Sequence, residues 1–106
     1  MKRGEIWWAN LRSPWGRRPV LLLSRDEAYT MLTWVVAAPI TTNMRSIPTA
    51  VALSPEADRV ERPCTVTLDN MQLIRRNWLD AYITSLGSDR MLEVERAIHF
   101  ALRLSF

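Results

Sequence analysis

The sequence predicts one small, mainly β domain with α content: a mostly antiparallel β-barrel or strongly coiled sheet closed by a C-terminal helix. Three observations carry this. Val20-Leu21-Leu22-Leu23 is a short, wholly apolar run, the pattern of a strand buried on both faces. A second apolar run starts at Trp34 and ends polar at Thr41-Thr42, where the first begins polar at Arg17-Arg18. Met91, Val94, Ile98, Ala101 and Leu102 then recur at three- and four-residue spacing, the stripe of an amphipathic helix. At 106 residues the chain is a single domain, 1–106, with enough length for one core.

Glu5 to Leu11 is the first strand, and its alternation sends Trp7 and Trp8 to opposite faces, one to the core and one to a surface or subunit interface. Arg12 to Arg17 is a loop broken by Pro14 and Gly16, with Trp15 as a partly exposed packing residue or a base-stacking one. The second strand covers Arg18 to Arg25, with Pro19 tolerated at its start. A short helical turn, 26–30, leads to the third strand, Thr33 to Thr41. Pro39 has no N–H to donate, so regular pairing should break there.

If these two strands pair with Ser24 opposite Val35, Arg18 falls opposite Thr41 at one end of the sheet. A loop from Asn43 to Ile47 precedes a fourth strand, Pro48 to Leu53, and Ser54 to Pro63 reads as a long surface loop. Cys64 to Asp69 alternates with period two as a half-buried strand, with Thr65, Thr67 and Asp69 on one face. Asn70 to Trp78 fits one turn and a short strand, and Ala81 to Leu86 is the last strand. Ser88 is the expected N-cap of the closing helix.

The net charge of +3 is unevenly placed: residues 1–48 carry seven cations and three acids, and the remainder seven cations and eight acids. Thirteen of the fourteen cations are arginine, the side chain suited to forked phosphate contacts. A polyanion partner fits this asymmetry, as does a plain solvated surface. No apolar run approaches the roughly 18 residues of a membrane span, so no membrane association is expected. Lone Cys64 and a start without an apolar signal segment point to a cytoplasmic protein.

One histidine, His99, rules out a two-histidine ribonuclease mechanism, and no spacing of His, Cys, Asp and Glu suggests a metal site. Three glycines make no phosphate-cradling loop, and Ser24 has no base-and-orienter pair. No cofactor is expected. Arginines, threonines and a few carboxylates remain, a set suited to phosphate binding and phosphoryl transfer.

The segments R-G-E-I-W-W at 3–8, G-R-R-P-V-L-L-L-S at 16–24, A-P-I-T at 38–41, L-D-N at 68–70 and S-D-R-M-L-E-V-E-R-A-I at 88–98 resemble, in order, those of MazF/PemK-type toxins. The resemblance implies an SH3-like barrel assembled as a homodimer. It also implies a toxin of a type II toxin–antitoxin pair, an endoribonuclease that cuts single-stranded mRNA without metal. Its antitoxin would lay an acidic, partly disordered tail across the dimer. By the same resemblance Arg18 and Thr41 match positions assigned to catalysis, and Asp69 matches an acidic position that some members use as a base. Thr67 stands where those members carry a second arginine, and the loop 12–17 is shorter than in many of them.

The implied reaction is attack of an RNA 2′-hydroxyl on its own 3′ phosphate, giving a 2′,3′-cyclic phosphate and a 5′-hydroxyl. Arg18 would stabilise charge on the phosphoryl oxygens and Thr41 would hold an oxygen or orient the nucleophile. Trp15, Arg17, Thr42, Asn43 and Arg45 are the candidate RNA-binding residues around them. Two other functions fit the same fold: inhibition of a protein target such as a topoisomerase, and non-catalytic RNA binding.

Overall fold

The computed structural model describes residues 1–105. Seven strands form one sheet: β1 (Glu5–Asn10), β2 (Arg17–Leu22), β3 (Trp34–Thr41), β4 (Ala50–Leu53), β5 (Cys64–Thr67), β6 (Gln72–Arg75) and β7 (Leu79–Ser85). Three helices accompany them: α1 (Ala28–Met31), α2 (Pro55–Asp58) and α3 (Ser88–Leu102). Every pairing is antiparallel, in the order β4-β5-β3-β2-β1-β7, with β6 also on β3. The mainly β class with a closing helix is as expected. The pairing path ends at β4 and β7, and the 3₁₀ turn Arg76–Trp78 ties β6 to β7 around one of two cores.

Those two cores lie on opposite faces of the central strands. Leu21, Leu23, Ala38 and Ile40 face one, with Val94 and Ala97 of α3. Val20, Leu22, Val35 and Ala37 face the other, with Ile74 and Leu79. Successive side chains of one strand thus enter different cores, which is why the run 20–23 has no polar alternation. Buried Tyr29 of α1 closes the second core, its hydroxyl donating to the Ser24 carbonyl at 3.0 Å. Burial pushes its phenol up to about 12.

The β2–β3 register is Val20↔Pro39, Leu21↔Ala38 and Leu22↔Ala37, the one expected. Pro39 stands where β3 changes partner on its other edge, between Ala37↔Gln72 of β6 and Ile40↔Val66 of β5. A residue without an N–H is tolerated at that seam. Thr67 caps it, donating its hydroxyl to the Pro39 carbonyl at 2.8 Å.

Five expectations are corrected. All of β5 is buried: on its second face Met44 receives the Thr65 hydroxyl at 3.5 Å, and the Thr67 hydroxyl turns to the Pro39 carbonyl. Its strand ends at Thr67, and the 3₁₀ turn Leu68–Asn70 carries Asp69 off the face shared by Thr65 and Thr67, to an exposed position. The loop 54–63 contains α2, whose N-cap Ser54 accepts from the Ala57 N–H at 3.1 Å, with Pro55 at the first position. Gly87, not Ser88, caps α3. Trp7 and Trp8 do lie on opposite sides of β1, yet both are half-buried and neither is a core residue.

Candidate active site

Extending the β2–β3 register by two residues carries Arg18 opposite Thr41, although regular pairing stops at Val20↔Pro39. Both side chains are half-buried at one end of the sheet. Arg18 is held from the loop that precedes it: Nε donates to the Trp15 carbonyl at 2.9 Å, and the guanidinium lies over the Trp15 ring, 5.3 Å from its centre. Gly16, at φ +66°, makes the turn that returns this loop to β2, and the Leu11 N–H donates to its carbonyl. The Thr41 hydroxyl accepts from the Asn43 N–H at 3.2 Å, which bends the chain out of β3 and leaves Thr42 and Asn43 exposed.

A groove of about 370 Å³ opens beside this rim. Trp8, Pro19 and Ile40 wall it, Thr41 and Thr42 stand at its polar side, and Arg62 and Cys64 close it from the segment before β5. Trp8 and Pro19 are register partners, so their side chains share the groove face. By strand alternation Arg18 falls on the other face, beside Val20, and meets the groove at its lip rather than its floor.

Arg17 joins the groove through Trp8, with its guanidinium 4.6 Å from that ring's centre. It also makes a forked pair with Asp80, at 3.0 and 3.4 Å, while Asn10 donates to the same carboxylate. The Arg17 hydrogen bond holds the Asp80 carboxyl below the usual carboxylate range. Arg17 is thus engaged by a carboxylate and a ring, and Arg18 by a ring and a carbonyl.

Asp69 stands apart from the groove. Its carboxylate accepts from the Thr49 hydroxyl at 2.7 Å, in a small hollow shared with Arg45, Thr67 and Asn70. Sequence reasoning missed Trp8, Arg62 and Asp80, and only Trp8 carried a signal there, its alternation against Trp7. Ser24 is structural, its hydroxyl accepting from the Val36 N–H at 2.8 Å. Burial, followed by the nearby Asp58 charge, pushes the Cys64 thiol up, away from thiolate reactivity. Among the described residues no group of three or more His, Cys, Asp or Glu converges as a metal site, and no helix is long and apolar enough to cross a membrane.

Residues 2–102 match the family described as "PemK-like, MazF-like toxin of type II toxin-antitoxin system". The chain is 35% identical over 103 residues to "Probable endoribonuclease MazF5" of Mycobacterium tuberculosis, covering 97% of this chain and 94% of that protein. The structure "Mycobacterium tuberculosis toxin MazF-mt6" superposes with a TM-score of 0.86 at 32% identity, over 96% of this chain and 99% of that one. A mycobacterial "Endoribonuclease in complex with its cognate antitoxin" also gives 0.86, at 27% identity, over 100% and 98% of the two chains.

Proposed function

The chain belongs to the PemK-like, MazF-like toxins of type II toxin–antitoxin systems, and on that premise we propose that it is an endoribonuclease cleaving single-stranded mRNA at the rim shared by Arg18 and Thr41. The observation that supports this reading is the β2–β3 register, which, extended by two residues, sets Arg18 opposite Thr41 beside an open groove lined by Thr41. In the proposed step the 2′-oxygen forms a bond to the adjacent phosphorus while the bond to the 5′-oxygen breaks. The 2′-hydroxyl gives up its proton, the 5′-oxygen takes one, and a 2′,3′-cyclic phosphate and a 5′-hydroxyl result.

Charge gathers on the non-bridging oxygens, where Arg18 is the suited partner. Its planar fork matches a phosphate, and its Nε contact leaves both terminal NH₂ groups at the outer edge of that fork. Stacked on Trp15, the side chain is already ordered, so less rotamer freedom is lost when phosphate arrives. Thr41 offers its hydroxyl proton to a phosphate oxygen while its oxygen takes the Asn43 N–H. Thr42, Asn43 and Trp8 line the path of the strand, with Arg17 and Arg45 for flanking phosphates. Asp69, engaged by Thr49, keeps a supporting place outside the groove in this reading. The active form is read as a homodimer in the cytoplasm, silenced by an antitoxin whose acidic tail crosses it.

Incubation with an unstructured RNA in excess EDTA tests the proposal, and fragments ending in cyclic phosphate and 5′-hydroxyl are expected. RNA left intact by a protein that still arrests growth would sink it in favour of inhibition through a protein target. Asp80→Asn is expected to free Arg17 and tighten RNA binding by about two- to fivefold at low salt. Titration of labelled RNA reads the change, and an unaltered affinity would remove Arg17 from the interface.

A further inference from the structure

We propose that a strip of arginines and tryptophans, running from Arg18 away from the groove, is a second binding site for single-stranded RNA. The inference rests on the endoribonuclease reading and adds a surface to it. The strip is continuous. Arg18 lies over Trp15, whose N–H donates to the Arg12 carbonyl; Arg12 lies 5.6 Å from the centre of the Trp78 ring. Trp78 meets Trp34 edge-on at 5.9 Å, and Arg75 lies 5.5 Å from the centre of the Trp34 ring.

Three features set this apart from ordinary surface pairs. Significant cation–π contacts occur about once per 70–80 residues. Four occur among the described residues here, and three of them fall on this strip. Secondly, among the described residues Arg12, Arg18 and Arg75 take part in no ion pair, as is also true of Arg45, Arg59, Arg76 and Arg96, whereas Arg3, Arg17, Arg25, Arg62 and Arg90 each meet a carboxylate. The strip's positive charge is therefore not neutralised locally. Thirdly, Trp15 and Trp78 rest on the second core, which fixes their rings, while Trp34 at the far end is 42% exposed.

Fixed rings alternating with uncompensated guanidiniums are what a single strand requires: bases stack on the rings and phosphates take the free edges of the forks. Arg18 links the strip to the proposed cleavage rim, so a strand leaving that rim meets it next. An acidic peptide could use the guanidiniums but would gain little from three rings in series. The observations favour RNA.

The test compares the binding and cleavage of an unstructured 20-nucleotide RNA, at about that length, with those of a short RNA of about 5 nucleotides that fills only the groove, using the intact protein. For R12Q/R75Q, the dissociation constant of the long RNA should rise at least about fivefold. The slope of log affinity against log salt should become shallower by about 1.4, two phosphate contacts at roughly 0.7 each. Cleavage of the short RNA should keep its rate. Trp34→Leu removes a ring and no charge, and should weaken long-RNA binding by about tenfold with the salt slope unchanged.

Equal effects on long and short RNA, or no effect on either, would overturn the proposal. So would loss of antitoxin affinity with RNA binding intact, or conversion of the variants to monomers. Binding is read without cleavage, so the two readings fail separately. A wild-type protein that holds long RNA through these residues and never cuts it leaves the strip standing and removes the enzyme. One that cuts normally and ignores R12Q/R75Q does the reverse.

Discussion

Arg18→Ala is expected to slow RNA cleavage about a hundred- to a thousandfold, on the order of 3–4 kcal/mol of transition-state stabilisation, in a protein that still folds. The fold should survive because β2 is held by its backbone, with Arg18 opposite Ala9 in the β1 ladder, and because the side chain enters neither core. Its loss removes one hydrogen bond, to the Trp15 carbonyl, and one ring contact, and both are near the surface. Arg18→Lys keeps the charge but not the planar fork, so only part of the rate should return. Single-turnover cleavage, with circular dichroism as the control for folding, measures this. A folded alanine variant cutting at the parent's rate would remove Arg18 from the chemistry.

The largest loss of stability should come from Arg90→Ala, by about 3–5 kcal/mol. Asp58, at the end of α2, is 4% exposed, and its two oxygens take Nε and an Nη of Arg90 at 3.0 Å each, together with the Ser54 N–H at 2.9 Å. Without Arg90 a buried carboxylate keeps one donor out of three. The hydrogen bonds to Asp58 hold the guanidinium charged, its pKa moving up, and Glu93 adds a second partner at 2.7 Å. Removing both charges together, as in D58N/R90Q, should restore much of the stability, since the greater cost is the uncompensated charge and not the missing pair. Urea unfolding distinguishes the cases. An Arg90→Ala protein as stable as the parent would show that water reaches Asp58.

Much of the frame is legible in the sequence, because the informative residues are local. Two short apolar runs, each with a polar end, define the β2–β3 register, and the period of residues 91–102 defines the closing helix. The misreadings arise where a distant segment decides. Cys64–Thr67 alternates as if one face met water, yet Thr65 meets Met44 and Thr67 meets the Pro39 carbonyl, 21 and 28 residues away in the chain. Helix α2 was signalled by Ser54-Pro55, a cap followed by a first-turn proline, but its polar composition and flanking prolines look like loop.

The rim of the site follows from strand register, whereas its surroundings do not. Arg17 meets Asp80 and Trp34 meets Trp78 across more than forty residues of sequence, through the turn that ties β6 to β7. Asp69 looked like a companion of Thr65 and Thr67 because period-two alternation was extended past the point where the backbone tightens into a 3₁₀ turn.

The two-faced burial of β2 and β3 bears on how the toxin persists. Leu21 and Leu22 are neighbours in the chain, yet each serves a different interior. Opening either interior strips a wall from the other, so the two are expected to unfold together. Loss of either set of contacts would then be felt on both sides of β2 and β3 at once, and probes placed in the two interiors should report one unfolding transition.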